Sequence, residues 1–315
     1  MAELYLGLDV GGTKLAAGVA DGAGSVRSLV RCLTDRTARP PDFVRLLAQL
    51  AEQACAQAGA EPAAVGISYG GPVDFAAQTT VTCHHLEGWQ GVPLTRLVQE
   101  ALGQQRVVMD NDGNACALGE AVFGAGRGHQ ELLYLTVSSG IGGGVIVGGD
   151  IYRGATSMAG EIGHTVIVPN GPQCTCGRRG CLEALASGWS IARRAQEAVS
   201  AGREPASALH RQQGEISAQQ VAELAQAGDR LAQALMAQTA HYLGLAIGAA
   251  VNLLNPSLVV LGGGVANAGE CLFGPLRAAL RRYALAENAA AVQVVPAALG
   301  DAGGVLGAVA LARQA

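Results

Sequence analysis

Lysine is almost absent from this chain: Lys14 is the only one, against twenty arginines. Any excess of basic charge is missing too, and the net charge of −4 argues against nucleic acid as the main partner and gives no signal for a membrane surface. No apolar run reads as long enough to span a membrane, and the chain enters the strand-like Leu4–Val10 without a signal peptide. A helix-turn-helix ahead of that strand and a low-complexity tail are also lacking. The eight cysteines are not laid out as spaced pairs, which fits a reducing cytoplasm rather than a disulfide framework. At 315 residues, half of them apolar, the chain is long enough for a large core and for two lobes. Its 45 glycines are about twice the average share and predict many tight turns and close backbone approaches.

Three of the cysteines, Cys174, Cys176 and Cys181, fall within eight residues, with His164 ten residues before the first. Thiolate sulfur and imidazole nitrogen are the ligand set of a closed, tetrahedral structural zinc site. Pro169, Gly171, Pro172, Gly177 and Gly180 make the segment a loop that a metal would hold together, whereas buried structural thiols tend to sit in apolar, periodic segments. The C-x-C-x4-C spacing is not one of the common finger spacings, so composition alone predicts a zinc knuckle. Glu161 and Glu183 bracket the ligands. A structural site does not need them, which implies that the metal positions something polar.

In chain order, an apolar run containing Asp9 is followed at once by Gly11-Gly12-Thr13-Lys14 and a second apolar run over 15–20. This predicts a hairpin whose turn amides wrap a phosphate. Residues 41–58 space Phe43, Leu46, Leu47, Leu50 and Ala54 along one helical face. A short strand over 65–68 ends at Gly70-Gly71-Pro72, and Leu94–Leu102 reads as a helix. A strand over 106–109 delivers Asp110-Asn111-Asp112-Gly113-Asn114, with a helix from about 115 to 123. The pattern then restarts: Leu132–Val137 leads into Ser138-Ser139-Gly140-Ile141-Gly142-Gly143-Gly144 and an apolar run over 145–147. Residues 231–254 read as a long apolar helix stopped by Asn255-Pro256. A strand over 258–261 runs into Gly262-Gly263-Gly264, and a strand over 292–295 and a helix over Gly303–Ala312 close the chain.

The first Gly-rich turn has neither the G-x-G-x-x-G of a dinucleotide fold nor the G-x-x-x-x-G-K-[ST] of a P-loop. The second is followed by a strand-like run rather than a helix. Singly, each reads equally well as an ordinary hairpin turn. Together, with a third glycine triplet after a strand, they indicate an internally duplicated fold clasping phosphates from both sides.

The series D-V-G-G-T-K, G-G-P-V-D, D-N-D-G-N-A, S-S-G-I-G-G-G, E-I-G-H, C-T-C-G-R-R-G-C-L-E and G-D-A-G-G covers essentially the whole chain. In this order it resembles the ROK (repressor, open reading frame, kinase) family of sugar kinases, glucokinase-like members above all, within the actin-like/hexokinase ATPase superfamily. That resemblance implies a duplicated α/β, actin-like (ribonuclease-H-like) fold of two lobes with a central cleft. The lobes are expected at residues 1–113, completed by a helix over about 300–315, and at 114–299 with the zinc loop. ATP with Mg2+ and a hexose are the implied ligands and zinc is structural; a homodimer, with a tetramer as a further form, is implied as well.

Residue by residue, the resemblance places Asp112 as general base and Asn111 and Gly71 beside the sugar. Glu161, His164 and Glu183 read sugar hydroxyls, and His164 also joins Cys174, Cys176 and Cys181 on zinc. Asp9, Gly11, Gly12, Thr13 and Lys14 form the first phosphate loop; Ser139, Gly140, Gly142 and Gly143 the second; Gly262, Gly263 and Gly264 the nucleoside side. Phosphoryl transfer needs a carboxylate to take the alcohol proton; Asp112 stands at a strand end, whereas Asp110, still on the strand, reads as a structural cap or pair. The family pattern is altered at Ser139, where Thr is common, at Ser68-Tyr69-Gly70, and over 83–89, where His85 takes the place of an Asn at the sugar.

Glucose phosphorylated at its 6-hydroxyl is the expected reaction. An N-acetylmannosamine or N-acetylglucosamine kinase is the alternative, since D-N-D-G-N and G-P-x-C-x-C-G also resemble N-acetylmannosamine kinases. A sugar-sensing regulator is disfavoured by the presence of Asp112 and by a first phosphate loop within ten residues of Met1.

Overall fold

The structure, a computed structural model, describes residues 3–35, 37–81 and 88–315. His85, expected at the sugar, lies outside them, as do Cys83, His84 and Glu87. The chain divides into two units: Met1–Gln130, Gly144–Gly160 and Ala297–Ala315 form the first, Glu131–Gly143 and Glu161–Pro296 the second.

The first unit opens with β1 (Leu4–Val10), β2 (Lys14–Asp21) and β3 (Val26–Leu33), an antiparallel meander. There follow α1 (Pro40–Ala58), β4 (Ala64–Tyr69), the short pair β5 (Val73–Asp74) and β6 (Thr79–Thr80), α2 (Leu94–Leu102), β7 (Val107–Asn111) and α3 (Asp112–Phe123). The sheet order is β3-β2-β1-β4-β7, with β4 parallel to both β1 and β7. Alternation along β1 sends Leu6, Leu8 and Val10 into one core with Phe43 and Leu47 of α1 and Leu94 of α2. Tyr5, on the other face, packs with Leu306 and Val309 of the last helix.

The second sheet starts with β8 (Leu132–Val137) of the second unit; β9 (Ile141–Val147) runs across the unit boundary and β10 (Asp150–Ile151) falls in the Gly144–Gly160 segment of the first, ahead of the metal loop. Next come α4 (Leu182–Ala186), α5 (Gly188–Ser200), α6 (Ala218–Gln226), α7 (Arg230–Leu254), β11 (Leu258–Gly262), α8 (Glu270–Tyr283), α9 (Ala286–Ala291) and β12 (Gln293–Pro296). The last helix, α10 (Gly303–Ala312), returns to the first unit. The second sheet runs β10-β9-β8-β11-β12. Numbered from its own start, each sheet therefore has the order 3-2-1-4-5, the duplication expected from the two Gly-rich turns.

Two expectations need amending. With its 25 residues α7 is long and apolar enough to cross a membrane, contrary to the reading that no run is. Of the 18-residue stretch that gives it that character, 56% is buried inside the protein, and the helix buries Leu235, Met236, Leu243 and Ile247 among others. The first unit also runs on past residue 113, because α3 packs on α10 and on the strands of the first sheet. Glu120 of α3, 2% exposed, accepts hydrogen bonds from the amides of Ala125 at 2.8 Å, Leu299 at 2.9 Å and Ala298 at 3.1 Å. Glu120→Ala leaves three amides without that carboxylate. It is expected to lower unfolding free energy by roughly 2–4 kcal/mol in a denaturant titration; an unchanged midpoint would show that the amides find other acceptors.

The edge of the first sheet is closed by a side chain. Gln78, in the left-handed region at φ 54°, accepts from the amide of Met109 at 2.7 Å and donates to its carbonyl at 3.1 Å. The same side chain is held by the Thr95 hydroxyl and the Phe75 carbonyl.

Candidate active site

In the first unit, the carboxyl ends of three neighbouring parallel strands, β1, β4 and β7, carry Asp9, Gly70-Gly71 and Asn111-Asp112. Carboxyl ends of parallel strands are the usual ligand side of an α/β sheet. The Gly70 amide donates to the Val10 carbonyl at 2.8 Å, and the Gly71 carbonyl accepts from the Asn111 side chain at 3.0 Å. The Asn111 carboxamide oxygen caps α3, accepting from the amides of Gly113 at 2.9 Å and Asn114 at 3.4 Å. That cap starts the helix at Asp112, ahead of the expected 115, and puts Asp112 in the first turn, where the helix dipole favours a carboxylate. Asp112 Oδ1 accepts its neighbour's amide, from Gly113, at 2.8 Å.

Asp110 is placed differently. It is 1% exposed and pairs with Arg153 Nε at 2.7 Å, while its other oxygen takes Asn114 Nδ2 at 2.9 Å and the Asn111 amide at 2.8 Å. Arg153 in turn lies over the Phe75 ring at 3.6 Å.

Asp9 is half-buried and accepts the Ser68 hydroxyl at 3.0 Å. Burial raises its pKa, partly offset by that hydrogen bond. A Cβ on Gly304, at the start of α10, would stand 2.5 Å from either carboxylate oxygen, so a side chain there displaces Asp9. In the first Gly-rich turn, the Gly11 amide donates to the Lys14 carbonyl at 3.1 Å, and Thr13 and Lys14 are exposed.

The second unit has a cleft of about 890 Å3 lined by Ser138 and Ser139 of the second turn and by Gly264 and Val265 after β11. Structure thus brings together the second and third glycine-rich segments. Gly262 is buried at the end of β11 and Gly263 takes φ 83°, so Gly264 is the one of the three that reaches the cleft. Sequence reasoning assigned nothing to its other walls, Trp189 and Gln226 among them. Their only signal was the Ser217-x-x-Gln220 capping box that opens α6 beside it.

The metal loop is a tight knuckle. The Cys174 amide donates to the Arg178 carbonyl at 2.8 Å, and that of Gly177 to the Cys174 carbonyl at 3.0 Å. It brings a ring nitrogen of His164 and the sulfurs of Cys174, Cys176 and Cys181 within 4.8 Å of one another. Cys176 Sγ lies 3.7 Å from Cys181 Sγ, and Cys174 Sγ 3.7 Å from His164 Nδ1. A tetrahedral zinc with bonds of about 2.3 Å to sulfur sets its sulfurs about 3.8 Å apart, so the donors fit that ion. Burial raises the Cys174 thiol and pushes Cys181 up to about 12. Burial also works against ionising Cys176, but the Arg178 amide and the neighbouring thiols bring it down to about 7. Three converging sulfurs become thiolates together only with a cation among them. Glu183 lies half-buried beside them, and Glu161 precedes the turn that carries His164.

Two sheets of one order, each with a Gly-rich turn between its first strands, define a duplicated actin-like ATPase fold. Residues 5–315 match the ROK family, and the chain belongs to it. It is 34% identical to a glucokinase of Thermotoga maritima over 312 residues, 98% of this chain and 97% of that one. A ROK hexokinase from Thermus thermophilus superposes with a TM-score of 0.83 at 38% identity, covering 99% of this chain and 98% of the other. A ROK family glucokinase from Streptomyces griseus, solved with glucose and AMPPNP, gives a TM-score of 0.86 at 36% identity over 99% and 100% of the two chains.

Proposed function

We propose that this protein is an ATP-dependent glucokinase, transferring the terminal phosphoryl group of ATP to the 6-hydroxyl of glucose. The observation that carries it is similarity to glucokinases over nearly the full length of both chains, including one that binds glucose and a nucleotide analogue. Phosphoryl transfer asks for charge stabilisation, positioning and a base for the alcohol proton. Asp112 takes that proton. Asn111, through the second hydrogen of its amide, and Gly71 hold the sugar, with His85. Glu161, Glu183 and His164 bind sugar hydroxyls.

Asp9 offers oxygen to Mg2+, which when bound neutralises charge on the phosphates. The amides of Gly11, Gly12, Thr13 and Lys14, and those of Ser139, Gly140, Gly142 and Gly143, surround the phosphates. The nucleoside lies toward Gly262, Gly263 and Gly264, in the cleft beside α6. His164, Cys174, Cys176 and Cys181 hold a structural zinc: four protein donors leave no open position for water. The cytoplasm, where thiols stay reduced, is the compartment that suits this loop.

Coupled ADP release tests the substrate. Of glucose, mannose, N-acetylglucosamine and N-acetylmannosamine, glucose is expected to have the highest kcat/KM. A clear win for either acetylated sugar would falsify the choice. The protein is further expected to be a homodimer, as closed two-fold assemblies are the commonest; light scattering that gives a monomer of 31.8 kDa at micromolar concentration rules this out.

A further inference from the structure

Glu183 does more than flank the metal ligands, because its two carboxylate oxygens are used on different loops. Oε2 accepts the backbone amide of Ile141 at 3.0 Å, inside the second Gly-rich turn. Oε1 accepts the Thr175 hydroxyl at 3.2 Å, on the residue between Cys174 and Cys176. The approach is close: a Cβ on Gly140 would stand 2.5 Å from Oε2, so a side chain at that position would expel the carboxylate. The peptide between Gly140 and Ile141 is fixed from its other end as well, since the Gly140 carbonyl accepts the Ser138 amide at 2.9 Å. The turn is tied again just beyond α4, where the Ser138 carbonyl accepts the Gly188 amide at 2.7 Å. A residue that only read a sugar hydroxyl would need none of these bonds.

We propose that Glu183 is a positioning residue, through which the metal loop holds the second phosphate loop in its nucleotide-binding shape. This rests on the nucleotide site proposed above and adds a route from metal to nucleotide that needs no sugar. Thr175, exposed and not itself a metal ligand, joins the two loops together with the Cys174 thiol, whose sulfur lies 3.7 Å from the same Oε1. With the carboxylate gone, the Ile141 amide loses a charged acceptor and the turn one of its anchors. In the other direction, the knuckle loses the acceptor that orients Thr175 between two ligating cysteines.

The test uses the zinc-loaded full chain and AMPPNP binding measured by calorimetry without sugar, with zinc transfer to a chromogenic chelator as second readout. Glu183→Ala is expected to weaken AMPPNP roughly ten- to hundredfold, the range for one hydrogen bond to a charged group. Thr175→Val keeps the carboxylate on Ile141 and is expected to weaken AMPPNP a few-fold, and both variants to release zinc faster than wild type. Wild-type AMPPNP affinity in a folded Glu183→Ala overturns the proposal, as do wild-type zinc release rates in both variants. Should Glu183→Ala not fold, unchanged affinity and zinc release in Thr175→Val overturn it equally. Wild-type protein that binds no AMPPNP refutes the nucleotide site instead, a result distinct from any of these.

Discussion

Asp112→Asn is expected to lower kcat by roughly 10²–10⁴-fold, the usual contribution of a positioned general base, while glucose affinity changes little. The substitution keeps the size of the side chain and an oxygen to accept the Gly113 amide, but removes the basicity. A loss confined to kcat is the mark of an interaction made only in the transition state. Asp110→Asn is the control two residues away, and it should behave differently. The Asp110 carboxylate pairs with Arg153 at 2.7 Å, and the Arg153 side chain retains 23% exposure. Neutralising the acid should cost roughly 2–4 kcal/mol of stability, toward the low side of the range for breaking a buried pair because that exposure screens the arginine. The kcat of the folded Asp110→Asn fraction should stay within about tenfold of wild type, well short of what loss of a base costs. Equal losses of kcat in two folded variants would remove the grounds for choosing Asp112.

Cys176→Ser has the second large effect. It takes one donor from a set whose four atoms lie within 4.8 Å of one another, and structural zinc contributes its binding free energy to folding. The variant is expected to retain no stoichiometric zinc by metal analysis and to become sensitive to protease within residues 161–183. Its glucose affinity should fall by at least about tenfold, as two carboxylates and His164 lose their placement. Normal glucose affinity in a zinc-free Cys176→Ser would disconnect the knuckle from the sugar.

Much of this architecture was legible in the sequence, for identifiable reasons. The two Gly-rich turns could be read because each sits between apolar runs of strand length, and the metal donors because all but His164 lie within eight residues. The long helix α7 was found from its length and apolarity, but the same properties say nothing of whether a helix faces lipid or core; only packing decides that. Strand β3 escaped notice: V-R-S-L-V-R-C-L lies at a sheet edge, has just Ser28 fully buried, and so shows no clean alternation. The end of the first unit was hidden because α3 is claimed by it through Glu120, whose partners lie about 180 residues later in the chain. Glu183 was marked as a sugar residue from the resemblance of C-T-C-G-R-R-G-C-L-E to the family motif. Its bond to Ile141, 42 residues earlier, is a product of tertiary folding that no local pattern encodes.

Gln78 bears on how the molecule keeps to itself. An edge strand offers its outward amides and carbonyls to any passing chain, and at Met109 both are already taken by one carboxamide. A carboxamide satisfies a single residue and presents no next strand, so it ends the sheet where another strand would have prolonged it. Growth of the first sheet by adding a foreign strand beside β7 is blocked at that point. Copies of this protein that associate cannot do so by pairing a strand with β7 at Met109.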